Sequence, residues 1–403
     1  MTRTVLQGGR LFDGTGSDPA RADVAIEGER IVAIGTGLDG DEVVDVSGRT
    51  ILPGLFDCHT HVCISNVDLW GWTQQPFSLQ FYEAASNLRK TLEVGITSIR
   101  DAGGADLGIR TAIERGLIAG PRMQISIIML TQTGGHGDDW YASGAHVPFL
   151  GEHPGRPSGI VDGVDQVRHK VRELKRNGAD VIKVAVSGGV LSPRDDPRHP
   201  HFRPAELEAL VEEATAAGMF VMAHAQGADG IKNAVRAGIR SIDHGIYLDD
   251  EAIELMLRHG TWFVPTLVAP QGVLDAADAG ISLPEAILDK ARMVLEIHRA
   301  AFRRAVEAGV RIAMGTDSGV TPHGRNLREL ELMAAGGMEP AAVLEATTRS
   351  AAQLLGVDDE LGTVEEGKLA DLVLVSGDPY DFKGLGDRVE GVWKGGTRAI
   401  PIE

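Results

Sequence analysis

Cysteine is nearly absent from this chain, with two in 403 residues, at Cys58 and Cys63. So few cysteines exclude a disulfide framework and are typical of a reduced compartment, so we expect a cytoplasmic protein. The N-terminus lacks the long apolar core of a signal peptide, and no apolar run reaches the length that spans a membrane. A membrane is therefore not expected as a partner.

Basic residues are scarce relative to acidic ones. Lys and Arg total 39 against 57 Asp and Glu, which gives a net charge of −18. This acidity argues against nucleic acid and against an anionic membrane surface as partners. Hydrophobic residues make up 43% and charged residues 24%, an ordinary composition for a globular protein.

The two ends of the chain have the same sequence pattern, short strand-like runs separated by glycine turns. The runs 23–26 and 30–34 flank Gly28, which predicts a hairpin. The C-terminal runs 369–375 and 389–393 look alike. We therefore predict one small β-module built from residues 1–56 and 356–403.

The middle of the chain, residues 57–355, alternates between strand-like and helical patterns. The clearest helix is predicted over 204–214, where apolar residues repeat at helical spacing. The eight strand-like runs are the one that ends near His59 and those at 95–100, 123–129, 180–186, 219–224, 241–244, 262–267 and 310–315. Eight strands alternating with helices predict an α/β fold with a (β/α)8 barrel, whose active site lies at the C-terminal ends of the strands.

Polar residues that suit a metal ion lie at the ends of these predicted strands, where a barrel would bring them together. They are His59, His61, Lys183, His224, His244 and Asp317. Imidazole and carboxylate groups are ligands of zinc and similar metals. Singly, each has another interpretation; Asp317, for example, could cap a helix. Their joint placement favours a metal site.

Lys183 is the least ordinary member, because lysine is rarely buried in an apolar strand unless it is paired. It could neutralise Asp317 or bind an anionic substrate. An ammonium cannot ligate a metal, but a desolvated neutral amine can add carbon dioxide. The resulting carbamate has two oxygens that can bridge two metals.

These six residues, in this strand order, resemble the binuclear amidohydrolase superfamily, as do the stretches 53–61 and 367–372. The resemblance implies a distorted (β/α)8 TIM barrel with a small β-sandwich built from both termini. It implies two divalent metal ions, with zinc expected although manganese or cobalt would also fit. In such a site His59, His61 and Asp317 hold the first metal. His224 and His244 hold the second, and a CO2-derived carbamate on Lys183 bridges them.

Two further features resemble the imidazolonepropionase-related branch, which holds Xaa-Pro dipeptidases, Xaa-Arg carboxypeptidases and ochratoxin amidases. They are the stretch 133–138 after the third strand, which contains His136, and Tyr247, three residues after His244. The resemblance implies that His136 contacts the scissile carbonyl and that Tyr247 contacts the α-carboxylate of the substrate. The alternatives are a mobile loop histidine and a packed aromatic side chain.

The expected activity is hydrolysis of an amide bond in a dipeptide or N-acyl amino acid with a free C-terminal carboxylate, as in an Xaa-Pro dipeptidase. A metal-bridging hydroxide would attack, and Asp317 would pass the proton of the water to the leaving nitrogen. Alternatives on the same site are an ochratoxin-type amidase, a lactonase, and a phosphotriester or carbamate hydrolase. A non-catalytic scaffold is disfavoured because no ligand is lost. The expected partners are a small-molecule or dipeptide substrate and further copies of the chain in a homo-oligomer.

Overall fold

The computed structural model describes residues 2–192 and 194–400. The N-terminal strands are β1 (Arg3–Gln7), β2 (Arg10–Leu11), β3 (Ala20–Arg21), β4 (Asp23–Glu27), β5 (Arg30–Gly35), β6 (Glu42–Asp45) and β7 (Arg49–Pro53). The central strands are β8 (Leu55–Thr60), β9 (Ile96–Asp101), β10 (Arg122–Ile125), β11 (Met129–Leu130), β12 (Val181–Ala185), β13 (Phe220–Ala225), β14 (Ser241–His244) and β15 (Trp262–Val264). The C-terminal strands are β16 (Leu372–Ser376), β17 (Val389–Lys394) and β18 (Thr397–Ile400), with a 3-10 helix at Leu385–Arg388.

Helices lie between and after the central strands. They are α1 (Leu69–Thr73), α2 (Leu79–Glu93), α3 (Leu107–Glu114), α4 (Val164–Arg176), α5 (Pro204–Ala216), α6 (Ala228–Ala237), α7 (Asp250–His259), α8 (Val268–Asp278), α9 (Glu285–Ala308), α10 (Arg328–Ala335), α11 (Pro340–Ala346) and α12 (Arg349–Leu355). The helix predicted over 204–214 is confirmed as α5, with Pro204 at its first position and Leu207 and Leu210 buried. Within the described residues, no helix combines the length and the apolar character needed to span a membrane.

Strands from both ends of the chain pair with each other. One sheet has the order β18-β17-β16-β7-β2-β3, in which β7 runs antiparallel to β16. A second sheet, β5-β4-β1-β6, contains the predicted hairpin, where Gly28 has φ +58° in the turn between β4 and β5. One apolar cluster takes side chains from both sheets, among them Leu6 and Ile26 from the second and Leu372 and Trp393 from the first.

The central strands form two parallel sheets, β10-β9-β8 and β11-β12-β13-β14-β15. The segment 310–318 hydrogen-bonds to an edge of each. The Ala313 N–H donates to the Phe263 carbonyl (3.0 Å), and the Met314 carbonyl accepts from the Cys58 N–H (2.9 Å). All the parallel strands therefore present their C-terminal ends to one region.

Two of the predicted strands are wrong in detail. The run 310–315 makes only an isolated bridge from Ile312 to Phe263, because the Met314 N–H turns away to the Ala346 carbonyl. The run 123–129 is broken into β10 and β11 at Ile127, whose φ of +71° is a left-handed conformation rare for a β-branched residue.

Candidate active site

The six residues predicted to surround a metal lie together at the C-terminal ends of the parallel strands. The ligand atoms of His59, His244 and Asp317 all lie within 4.8 Å of one another. The His59 ring centroid is 5.4 Å from that of His61 and 4.9 Å from that of His244, whose own centroid is 4.6 Å from that of His224. Lys183 Nζ lies 3.4 Å from His59 Nε2. The clustering inferred from strand order is therefore present.

Each of the four imidazoles has one ring nitrogen within hydrogen-bond distance of a protein oxygen. The pairs are His59 Nδ1 with Asp243 Oδ2 (2.9 Å), His61 Nδ1 with the Gly103 carbonyl (2.8 Å), His244 Nδ1 with Thr266 Oγ1 (2.7 Å) and His224 Nε2 with the Gly188 carbonyl (3.1 Å). Such outer contacts fix the ring orientation and the tautomer of metal-binding histidines. The second nitrogens of His59 and His61 both face Asp317 Oδ1, at 3.4 and 3.2 Å.

The charge states of His224, His244 and Asp317 suit a cation. Burial lowers the pKa of both His224 and His244 well below the usual histidine value, with neighbouring cationic groups adding to the effect. Burial alone would raise the pKa of Asp317, but the charges and hydrogen bonds of His59 and His61 outweigh it and hold that pKa well below its usual range. Burial alone would lower the pKa of His61, but its hydrogen bond to Asp317 and the charge of that carboxylate raise it. Neutral His224 and His244 and an ionised Asp317 are in the forms that bind metals.

Lys183 is buried, and burial lowers its pKa despite the opposing charge of Asp243. Lys183 Nζ donates to Asp243 Oδ2 at 3.3 Å. The same carboxylate accepts from Arg100 Nη2 (3.3 Å) and from the Ser241 hydroxyl (2.9 Å). One buried carboxylate therefore contacts the lysine, His59 and a buried arginine together.

Sequence reasoning missed Asp243, although a carboxylate inside an apolar strand is as unusual as Lys183 and could have drawn attention. Alternation along β14 places Ser241 and Asp243 on one face and would turn His244 to the other. His244 has φ +73°, a left-handed conformation that interrupts the alternation. Asp317 has φ +61°, so two of the six clustered residues carry backbone strain of the kind often found at functional sites.

His136 lies at this cluster. Its ring stacks on that of His224, with the centroids 4.2 Å apart and the planes inclined by 20°. Its Nδ1 lies 2.7 Å from Ser192 Oγ, in the connection between β12 and α5. The histidine of the long loop is thus packed against a predicted metal ligand.

Tyr247 is placed differently. It is half-buried, its hydroxyl is enclosed without a hydrogen-bond partner in the described part of the chain, and it is not among the residues that line the cavity over the cluster. Its role toward a substrate carboxylate stays a prediction.

The cavity over the six residues has a volume of about 270 Å³. One wall is aliphatic and includes Val67, Ile246, Val273 and Ile287. Arg194, whose guanidinium lies 4.8 Å from the centroid of the Trp140 ring, also lines this space. The lining therefore combines an aliphatic side with charged groups of both signs, among them Arg194 and Asp139.

Residues 50–399 match the amidohydrolase family, and this chain belongs to that family. It is 34% identical to ochratoxinase from Aspergillus niger over 98% of this chain and 86% of that protein. It is 29% identical to imidazolonepropionase from Rhizorhabdus wittichii over 83% of this chain and 82% of that protein. A crystal structure of an Xaa-Pro dipeptidase with methionine bound in its active site superposes with a TM-score of 0.89, at 34% identity, over 98% of this chain and 99% of that one. The predicted resemblance to the imidazolonepropionase-related branch is confirmed.

Proposed function

We propose that this chain is a metal-dependent hydrolase of the amide bond in a dipeptide or N-acyl amino acid with a free C-terminal carboxylate, similar to an Xaa-Pro dipeptidase. The observation that carries the proposal is the set of four imidazoles, each held through one nitrogen by a protein oxygen. In this proposal the two parallel sheets are arcs of a distorted (β/α)8 barrel over residues 57–355. The terminal sheets are then the β-sandwich of residues 1–56 and 356–403.

The donor set fits two divalent cations, for which zinc is the expected metal. Their ligands would be His59, His61 and Asp317 for one, His224 and His244 for the other, and Lys183 as a carbamate for both. When bound, such cations polarise a carbonyl group and bring the pKa of a water molecule toward neutrality. Lys183 suits carbamate formation because its burial favours the neutral amine that reacts with carbon dioxide.

Asp317 would transfer the proton in this reaction, and His136 would contact the scissile carbonyl. Asp317 Oδ1 lies 3.2 Å from His61 Nε2 in the middle of the cluster, where a carboxylate can take a proton from the attacking water and return it to the leaving nitrogen. That return matters because an amine leaves poorly unless it is protonated. His136, at the cavity side of His224, would contact the scissile carbonyl and the charge that develops on its oxygen.

The cavity supports a substrate with one apolar substituent and one carboxylate. Its aliphatic wall would favour proline or another apolar residue over a charged one, because a charge there would lose its hydration without gaining a partner. Arg194 lines the cavity and is exposed, so it is a second candidate, beside Tyr247, for the partner of the substrate carboxylate. The relative described with bound methionine supports an apolar amino acid in such a site.

An ochratoxin-type amidase is the second candidate, favoured by the 34% identity to the Aspergillus niger enzyme. It would use the same site and break the same kind of bond, with a larger acyl group in the cavity. A lactonase and a phosphotriester or carbamate hydrolase remain alternatives on this site. A non-catalytic scaffold is disfavoured because the four imidazoles, Asp317 and Lys183 are all clustered.

The test is a library of dipeptides and N-acyl amino acids in which the leaving residue is proline, apolar, basic or acidic. Release of free amino acid is measured on the same sample as its metal content. We expect release from members with proline or apolar leaving residues. A preparation with two metals per chain that releases amino acid from no member would overturn the proposal.

A further inference from the structure

The connection between β12 and α5 contacts both His136 and His224. The Gly188 carbonyl accepts from His224 Nε2 (3.1 Å), and Ser192 Oγ lies 2.7 Å from His136 Nδ1. These two histidines stack on each other. One stretch of chain therefore orients a predicted metal ligand and the predicted carbonyl contact together.

Asp195 completes a chain of hydrogen bonds that begins at His136. The Ser192 hydroxyl donates to Asp195 Oδ1 in a short hydrogen bond, so Ser192 Oγ is left to accept from His136 Nδ1. The other Asp195 oxygen accepts the Gly189 N–H at 3.0 Å and lies 3.4 Å from His136 Nδ1. This direction of donation places a proton on Nδ1 of His136.

Lys290 anchors this chain from α9. Its ammonium donates to the carbonyls of Gly189 (3.0 Å), Ser192 (2.7 Å) and Asp195 (2.5 Å) and lies 3.2 Å from Asp195 Oδ1. The side chain of Lys290 is 14% exposed and that of Asp195 is 5% exposed, so this ion pair is shielded from solvent. A single ammonium thus holds Gly189, Ser192 and Asp195 together.

Gly189 lets His136 reach this position. A Cβ at Gly189 would lie 2.1 Å from Cε1 and 2.5 Å from Nδ1 of the His136 ring. Atoms that are not bonded to each other do not approach so closely. The ring thus packs directly against the backbone of Gly189.

We propose that Ser192 and Asp195, anchored by Lys290, are positioning residues that set the orientation and tautomer of His136 for the amide-hydrolysing reaction. The inference rests on the proposed function. It adds to that function, because residues in the connection between β12 and α5 are proposed to orient His136, which is distant from them in sequence. The other ring nitrogen of His136, Nε2, is then the one presented to substrate.

The experiment is a double-mutant cycle on the full-length, metal-loaded protein, with Ser192→Ala and Asp195→Asn made alone and in a His136→Ala background. We expect each to lower kcat by about 10- to 100-fold with a smaller effect on KM, the range typical when a group that orients an active residue is removed. In the His136→Ala background we expect a further loss of less than about twofold, because the residue they orient is gone. Equal losses in both backgrounds would overturn the proposal.

Asp196→Asn is the matched control. It removes the same charge from the neighbouring position, where Asp196 pairs with the exposed Arg198 and does not contact His136. We expect near wild-type kcat from this variant and wild-type metal content from Ser192→Ala and Asp195→Asn. Loss of metal in both of these variants would mean that the connection serves only to hold His224, which contradicts the proposal.

A second readout does not depend on turnover. In protein labelled with ¹⁵N-histidine, the His136 signal, assigned by its disappearance in His136→Ala, should be that of an Nδ1–H tautomer in the wild type and should change in Ser192→Ala. An Nε2–H tautomer in the wild type would refute the inference. If the wild type hydrolyses no library member, the proposed function fails, whereas this spectrum still decides whether the chain from Asp195 orients His136.

Discussion

Replacement of Asp243 by Asn tests how the buried charges beneath the site depend on one another. The Asp243 side chain has no solvent exposure, and that of Arg100 is 4% exposed. Asn keeps the shape of the side chain but removes the negative charge, so the charge of Arg100 is left unbalanced. Breaking a buried pair by removal of one partner costs about 3–5 kcal/mol.

The expected shift in melting temperature follows from the size of the protein. An unfolding entropy of about 2.1 cal/mol/K per residue, over 403 residues, amounts to about 0.85 kcal/mol/K. A loss of about 3–5 kcal/mol therefore lowers the Tm by about 4–6 °C. Because His59 Nδ1 also loses a charged acceptor, we expect metal affinity to fall by about 10- to 100-fold.

Calorimetry and metal titration measure the two effects. Asp275→Asn is the control, because Asp275 pairs with Arg328 at the surface, where an ion pair is worth about 0–1 kcal/mol. Adding Arg100→Met to Asp243→Asn should cost less than the sum of the single changes, since the unbalanced charge is then removed. A Tm for Asp243→Asn within about 1 °C of the wild type would refute the reasoning.

Three other predictions concern metal binding, steric contact with the His136 ring, and pH. Lys183→Ala should lose both bound metal, measured by elemental analysis, and hydrolysis, measured by amino-acid release. Lys175 is exposed, so Lys175→Ala should keep both. A Lys183→Ala protein with two metals and full turnover would contradict the bridging role. Gly189→Ala should lower kcat by at least about 10-fold without loss of metal, because the added Cβ displaces the His136 ring; unchanged kcat would argue against that contact. Burial raises the pKa of Glu329 to about 8, so the folded state holds a proton that the unfolded state releases between about pH 4.5 and 8, and stability falls across that window. Glu329→Gln should therefore show a Tm difference from the wild type that shifts in favour of the variant as pH rises, and a difference independent of pH would count against it.

The clustering of the six polar residues could be predicted because it depends only on strand order. Residues that end parallel strands meet at one edge whatever the packing around them, so His59 and Asp317 could be placed together from positions 258 apart in sequence. The same reasoning carries no information on how each ring is rotated. That depends on acceptors such as the Gly103 and Gly188 carbonyls, which any sequence would provide.

The rest of the site depends on local backbone conformation and on contacts between loops. Alternation along β14 assigns Asp243 and His244 to opposite faces, so a strand pattern that places His244 at the site leaves Asp243 out. The positive φ of His244 breaks that alternation, which the sequence does not reveal. The contact of Lys290 with Asp195 joins residues 95 apart, one on a helix and one in an irregular connection. The sequence contains many acidic residues, and the pattern of charges alone does not predict which of them pairs with Lys290.

The outer hydrogen bonds of the four histidines also bear on how the mature protein is made. Their rings are oriented by oxygens of the chain itself, so folding does not have to wait for an ion to gather them. Under the proposed function, the chain would fold before it binds metal, and the supply of metal and carbon dioxide would then set how much of the folded protein is active. A chelated sample should accordingly keep its fold and accept a different divalent metal, which makes metal exchange a practical route to spectroscopic probes of this centre.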